Sequence, residues 1–140
     1  MILYLDTSAL VKLYVSEPHS NKVRKWAEES EIVATCRIAY PEALSAMNRR
    51  FRHKDMTDKE YKIIVSRFTE DWAHFAVIDF DEIEAGRIVK SYGLRAFDAV
   101  HISAAKLLNS NSDGIALSFS SFDEKLNEAA KAEGFSVLTA

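Results

Sequence analysis

Cysteine occurs once, at Cys36, so no disulfide can form within the chain and a disulfide-held secreted scaffold is excluded. Proline occurs twice and glycine four times, too rarely for a collagen-like, linker or low-complexity sequence. No apolar run approaches the length that crosses a bilayer. The opening Met1-Ile2-Leu3-Tyr4-Leu5-Asp6 also lacks the charged start and long apolar core of a secretion signal. A cytoplasmic protein with no membrane partner is therefore expected. Positive charge is not in excess either: the formal net charge is −3, which speaks against a uniformly basic nucleic-acid binder. Acids gathered around divalent ions would nevertheless leave the lysines and arginines elsewhere unopposed. His19, His53, His74 and His101 show no paired ligand spacing, so zinc is not expected, and each reads as a surface or packing residue. Cys36 has no evident base and reads as a small buried apolar side chain.

What the chain does have is apolar periodicity. With 48% apolar residues in 140, it is long enough to bury one core, and a single domain over residues 1–140 is expected. Ile2 to Leu5 is a short apolar run closed by Asp6-Thr7-Ser8, the pattern of a buried parallel strand. Helices are expected from after the Ser16-Glu17-Pro18-His19-Ser20 break to about Ser30, from Ile38 to Phe51 and from a capping box at Thr57 and Glu60 through Trp72. A second box at Asp81 and Glu84 opens a helix to Tyr92, stopped by Gly93, and another helix runs from Glu124 to Glu133. Strands are expected at Ile32 to Thr35, Ala76 to Ile78, Ile115 to Phe119 and Ser136 to Leu138. Strands alternating with helices imply an α/β/α sandwich around a mainly parallel sheet of four to five strands.

Four acids fall at one rim of such a sheet. Asp6 and Asp123 each follow a strand, while Glu42, just after Pro41, and Asp98 fall in the first turns of helices. Helix capping accounts for any one of them alone. Four like charges converging without a cation would instead repel one another and raise pKa values. An oxygen-only set suits Mg²⁺ or Mn²⁺ rather than zinc. Thr7 and Ser8 stand where a hydroxyl can bond a carboxylate or cap the helix that follows. On its helix Arg49 shares a face with Glu42 about 10 Å along the axis, a reach that suits a neighbouring phosphate. A basic helix end is equally served by an arginine there.

Asp6-Thr7-Ser8-Ala9-Leu10, Glu42 opening an Ala-rich helix, Leu94-Arg95-Ala96-Phe97-Asp98-Ala99-Val100-His101-Ile102 and Ser121-Phe122-Asp123-Glu124-Lys125-Leu126 together resemble the PIN domain, in particular VapC-type toxin ribonucleases. The resemblance covers essentially the whole chain. It implies a Mg²⁺- or Mn²⁺-dependent endoribonuclease acting on RNA, inhibited by a cognate antitoxin, and it leaves a homodimer open. It also implies that Asp6, Glu42, Asp98 and Asp123 are both the catalytic and the metal-binding residues, with Thr7, Ser8 and Ser121 behind them. Ser121 stands where the family often has Thr, and Ser118 and Ser120 make its strand more polar than usual. Two alternatives belong to other classes: a non-catalytic PIN-like module that binds RNA or protein, and a phosphohydrolase of similar architecture. A dehalogenase-type phosphohydrolase needs a second Asp two residues after Asp6, where Ser8 stands.

Overall fold

The computed structural model describes residues 1–140. Five strands form one all-parallel sheet: β1 (Ile2–Leu5), β2 (Ile32–Cys36), β3 (Ala76–Ile78), β4 (Leu117–Ser120) and β5 (Ser136–Leu138), in spatial order β3-β2-β1-β4-β5. Seven helices cover it: α1 (Thr7–Val11), α2 (Ser20–Glu29), α3 (Ala39–Arg52), α4 (Asp58–Asp71), α5 (Glu82–Tyr92), α6 (Ala96–Ser110) and α7 (Glu124–Ala132).

The strand period of two splits β1 between two cores. Ile2 and Tyr4 face one side, with Ala99, Ile102, Ala105 of α6, Ile88 of α5 and Leu126 of α7. Leu3 and Leu5 face the other, with Leu10, Val23, Met47 and Phe68 of α1 to α4. All four β1 residues are buried, which explains why the strand reads as an unbroken apolar run. Trp26 and Trp72 pack against the second core, and Cys36 lies buried in the first.

The expected elements are present, with two local differences. The fourth strand begins at Leu117 rather than Ile115, because the Ile115 N–H bonds back to the Ser112 carbonyl and prolongs the turn. The box expected at Asp81 is only half made: its carboxylate caps the N–H groups of Ile83 and Glu84, but the Glu84 side chain turns to Arg87 and Lys106. The box at Thr57 and Glu60 is complete. The last turn after α1 tightens, with Lys12, Leu13 and Tyr14 each bonding three residues back. Gly93 closes α5 at φ 65°, a left-handed cap that favours glycine.

Candidate active site

From the central β1 the chain steps outward to β2 and β3, then returns to β4 on the other side. The direction of winding thus reverses between β1 and β4, and a crevice opens beyond their carboxyl ends. It is a cleft of about 730 Å³. Asp6, Glu42, Asp98 and Asp123 all line it, together with Thr7, Ser8 and Arg49. Ser121 lies behind, in contact with Asp6.

Asp6 is the most deeply held. Its Oδ1 accepts from the Ala9 N–H at 2.9 Å and the Ser8 hydroxyl at 2.7 Å, and its Oδ2 accepts from the Ser121 hydroxyl at 2.6 Å. It therefore serves both as N-cap of α1 and as a wall of the cleft. Asp123 likewise caps α7 through the Leu126 N–H. Asp98 is different. Although it lies in the first turn of α6, it accepts no backbone N–H; its partner is the Arg95 guanidinium at 3.2 Å. Capping, the obvious reason for an acid at a helix start, thus accounts for Asp6 and Asp123 and not for Asp98.

Glu42 in the first turn of α3 is held by side chains alone. The Thr7 hydroxyl donates to its Oε1 at 2.6 Å, and His101 Nε2 lies 3.2 Å from the same oxygen. Burial opposes its charge, but these hydrogen bonds prevail and lower its pKa. Asp6 goes the other way, since burial pushes its carboxyl above the ordinary value despite the three donors. One raised carboxyl is what a convergent acidic site should contain. Its principal cause is desolvation rather than the repulsion between acids expected from the sequence.

The donor set is made of hard oxygens, the chemistry of Mg²⁺ or Mn²⁺. No three of the acidic, histidine or cysteine side chains are gathered closely enough to cage an ion by themselves. Mg²⁺ usually keeps several waters and takes one or two carboxylates along with substrate phosphate. Cationic compensation is already at hand: Arg95 lies 3.2 Å from Asp98 and 3.8 Å from Asp123 while remaining 82% exposed.

The family model of the PIN domain matches residues 3–132. The chain is a PIN-domain protein. Among curated relatives, Ribonuclease VapC45 of Mycobacterium tuberculosis (strain CDC 1551 / Oshkosh) is 28% identical, over 99% of this chain and 96% of its own. Ribonuclease VapC46 of strain ATCC 25618 / H37Rv is 29% identical over 97% and 95%. Among solved structures, PAE2754 from Pyrobaculum aerophilum superposes with a TM-score of 0.69 at 21% identity, covering 98% of this chain and 89% of that one. VapBC2 from Rickettsia felis, bound to a DNA fragment from its promoter, gives 0.63 at 16% identity over 99% and 98%. At such identities the structural likeness concerns the fold alone.

This PIN domain also brings to its cleft residues that the sequence did not single out. Lys12, Arg95, Phe97 and Phe122 line it, Phe97 being 56% exposed. Lys12 is stacked over the Phe122 ring at 4.7 Å and paired with Glu17 at 3.5 Å, so it is less available than the exposed Arg49. His101 is the principal omission. It reads as packing by its lack of ligand spacing, and it is indeed buried, yet its ring touches Glu42 and Thr7. The available signal was its place three residues after Asp98, on the same face of α6.

Proposed function

We propose that this PIN domain is a Mg²⁺- or Mn²⁺-dependent endoribonuclease of the VapC type, the toxin of a toxin-antitoxin pair. The observation that carries the proposal is the arrival of Asp6, Glu42, Asp98 and Asp123, from four separate elements, on one cleft at the reversal point of the sheet. The names of the curated relatives support ribonuclease chemistry. Asp6 and Asp98, with Glu42 and Asp123, would hold the ion. When bound, it supplies activation of water and neutralisation of charge developing at the phosphate.

The chain's own residues prepare that chemistry. Ser8, Ser121 and the Ala9 N–H fix the Asp6 carboxylate in one place at the edge of the cleft. Glu42 keeps Oε1 tied to Thr7 and His101, leaving Oε2 without a protein partner and free to accept a proton from attacking water. Arg49 presents a guanidinium to a neighbouring phosphate from the same face as Glu42. Arg95, exposed and held only by Asp98 and Asp123, can turn from them to the RNA backbone.

The test is incubation of the purified chain with total RNA, in chelator and in Mn²⁺. Cleavage is expected only with Mn²⁺, and its loss in Asp6→Asn and in Asp98→Asn with unchanged circular dichroism. Undiminished cleavage by either variant would reject this site. The solved relatives include a toxin-antitoxin complex from Klebsiella pneumoniae, and by that analogy a small protein encoded alongside should bind this chain. Co-expression should relieve growth arrest; if no genomic neighbour binds or relieves it, the toxin assignment falls.

A further inference from the structure

Tyr4 and His101 lie beneath Glu42; the proposed reaction so far uses His101 only as one partner of Glu42 Oε1, and Tyr4 not at all. Tyr4 sits on β1 with its ring stacked on Phe119 at 5.4 Å and set edge-on to the His101 ring at 5.9 Å. Both residues are almost fully buried. The Tyr4 hydroxyl is 2.8 Å from His101 Nδ1. On the other edge of the ring, Nε2 lies 3.1 Å from the Thr7 hydroxyl oxygen and 3.2 Å from Glu42 Oε1. Thr7 in turn spends its only hydrogen on Glu42 Oε1.

For a neutral His101 these contacts allow one consistent assignment of hydrogens. The Tyr4 phenol is fully buried with its hydroxyl aimed at Nδ1, and a tyrosine hydroxyl carries its hydrogen at neutral pH. A protonated phenol facing Nδ1 donates to it, which leaves the ring hydrogen on Nε2. That N–H then points at the Glu42 carboxylate and at the oxygen of Thr7, both acceptors. The other neutral tautomer would set two hydrogens face to face at Tyr4 and present a lone pair to a carboxylate.

We propose that Tyr4 and His101 are positioning residues for Glu42: Tyr4 fixes the imidazole with its hydrogen on Nε2, and that N–H together with Thr7 locks Oε1 so that Oε2 is left to the cleft and its attacking water. The inference rests on the nuclease reading for its consequence but not for its hydrogen-bond assignment. A satisfied core histidine would need only its two partners. Here the chain Tyr4, His101, Glu42 runs from the β1 core to the cleft and ends on a carboxylate that the reaction uses, the arrangement by which outer residues orient a functional group.

The experiment has two arms. In the first, long-range ¹H–¹⁵N spectra of the wild type should show His101 as the Nε2–H tautomer, and Tyr4→Phe, which keeps the stacked ring and removes only the hydroxyl, should lose that single pattern. In the second, kcat and KM with Mn²⁺ are measured on an RNA oligonucleotide carrying the site cut in total RNA. Tyr4→Phe and His101→Leu should lower kcat by about 10- to 100-fold with KM nearly unchanged. His101→Gln, whose amide N–H reaches the place of Nε2, should recover most of the loss. A wild-type Nδ1–H tautomer would overturn the inference. So would full kcat in a folded Tyr4→Phe, or a folded His101→Gln no better than His101→Leu. Absence of cleavage by the wild type would instead defeat the nuclease reading, while the tautomer would still decide the hydrogen-bond assignment.

Discussion

Ser121 shows how much of this cleft depends on single hydroxyls. It is 2% exposed, donates to Asp6 Oδ2 and accepts the Asp123 N–H at 3.0 Å, so one side chain links two of the four acids. Removing it leaves a buried carboxylate short of a donor that burial had made necessary. Ser121→Ala is expected to cost about 1.5 to 3 kcal/mol in urea unfolding at pH 7, the range for a hydrogen bond to a charged group. Ser121→Thr, which keeps the hydroxyl, should regain most of that. If both variants unfold together, the added methyl is not tolerated; if neither loses stability, Asp6 does not depend on this bond. Thr7 and Ser8 present the same lesson from the sequence side. Their residue types admitted either a carboxylate partner or a helix cap, and the structure gives them the carboxylates Glu42 and Asp6. Nothing in one sequence could decide this, because the choice depends on where α3 and β4 arrive.

At the level of elements, sequence pattern and structure agree where the signal is local. The apolar run of β1, the box at Thr57, the stop at Gly93 and the capping acids Asp6, Asp81 and Asp123 all follow from chemistry within four residues. What was illegible is long-range: His101 reaching Tyr4 across 97 positions, and the ionic cluster between α5, α6 and the end of α7. In that cluster Glu133, its side chain 9% exposed, accepts from Lys106 at 2.7 Å and from Arg87 and Tyr92. Burial disfavours its charge, yet these three donors lower its pKa to about 2. A carboxylate depressed in the folded state adds stability that is complete above its unfolded value, 4.5, and is lost as pH falls towards about 2. Glu133→Gln should therefore be destabilised by about 1 to 3 kcal/mol at pH 7, with the gap to the wild type closing between pH 4.5 and pH 2. Melting curves across that range would show it, and a gap independent of pH would mean the charge on Glu133 contributes nothing.

For the whole molecule, the question is how a chain of net charge −3 keeps four acids on one cleft in the absence of a divalent ion. Part of the answer is the set of donors on Asp6, the Ser8 and Ser121 hydroxyls and the Ala9 N–H, which oppose the desolvation of its carboxylate. The rest is Arg95, an internal cation set between Asp98 and Asp123. An entering ion must compete with it. Because Arg95 is 82% exposed, its pairing is worth little, at most about 1 kcal/mol, so displacing it should be easy and its removal should help. Mn²⁺ is accordingly expected to stabilise the wild type by about 2.7 kcal/mol at 100 times its dissociation constant, a rise of about 8 °C in Tm for a chain of this length. Arg95→Ala should bind Mn²⁺ up to about fivefold more tightly by calorimetry, although it also removes the cation proposed to meet the RNA backbone and should raise KM. Asp98→Asn should lose most of the thermal shift. Mn²⁺ binding weakened by Arg95→Ala would show that the guanidinium holds the acids in place for the ion rather than standing in for it, and no shift in the wild type would leave the four carboxylates with no cation to receive.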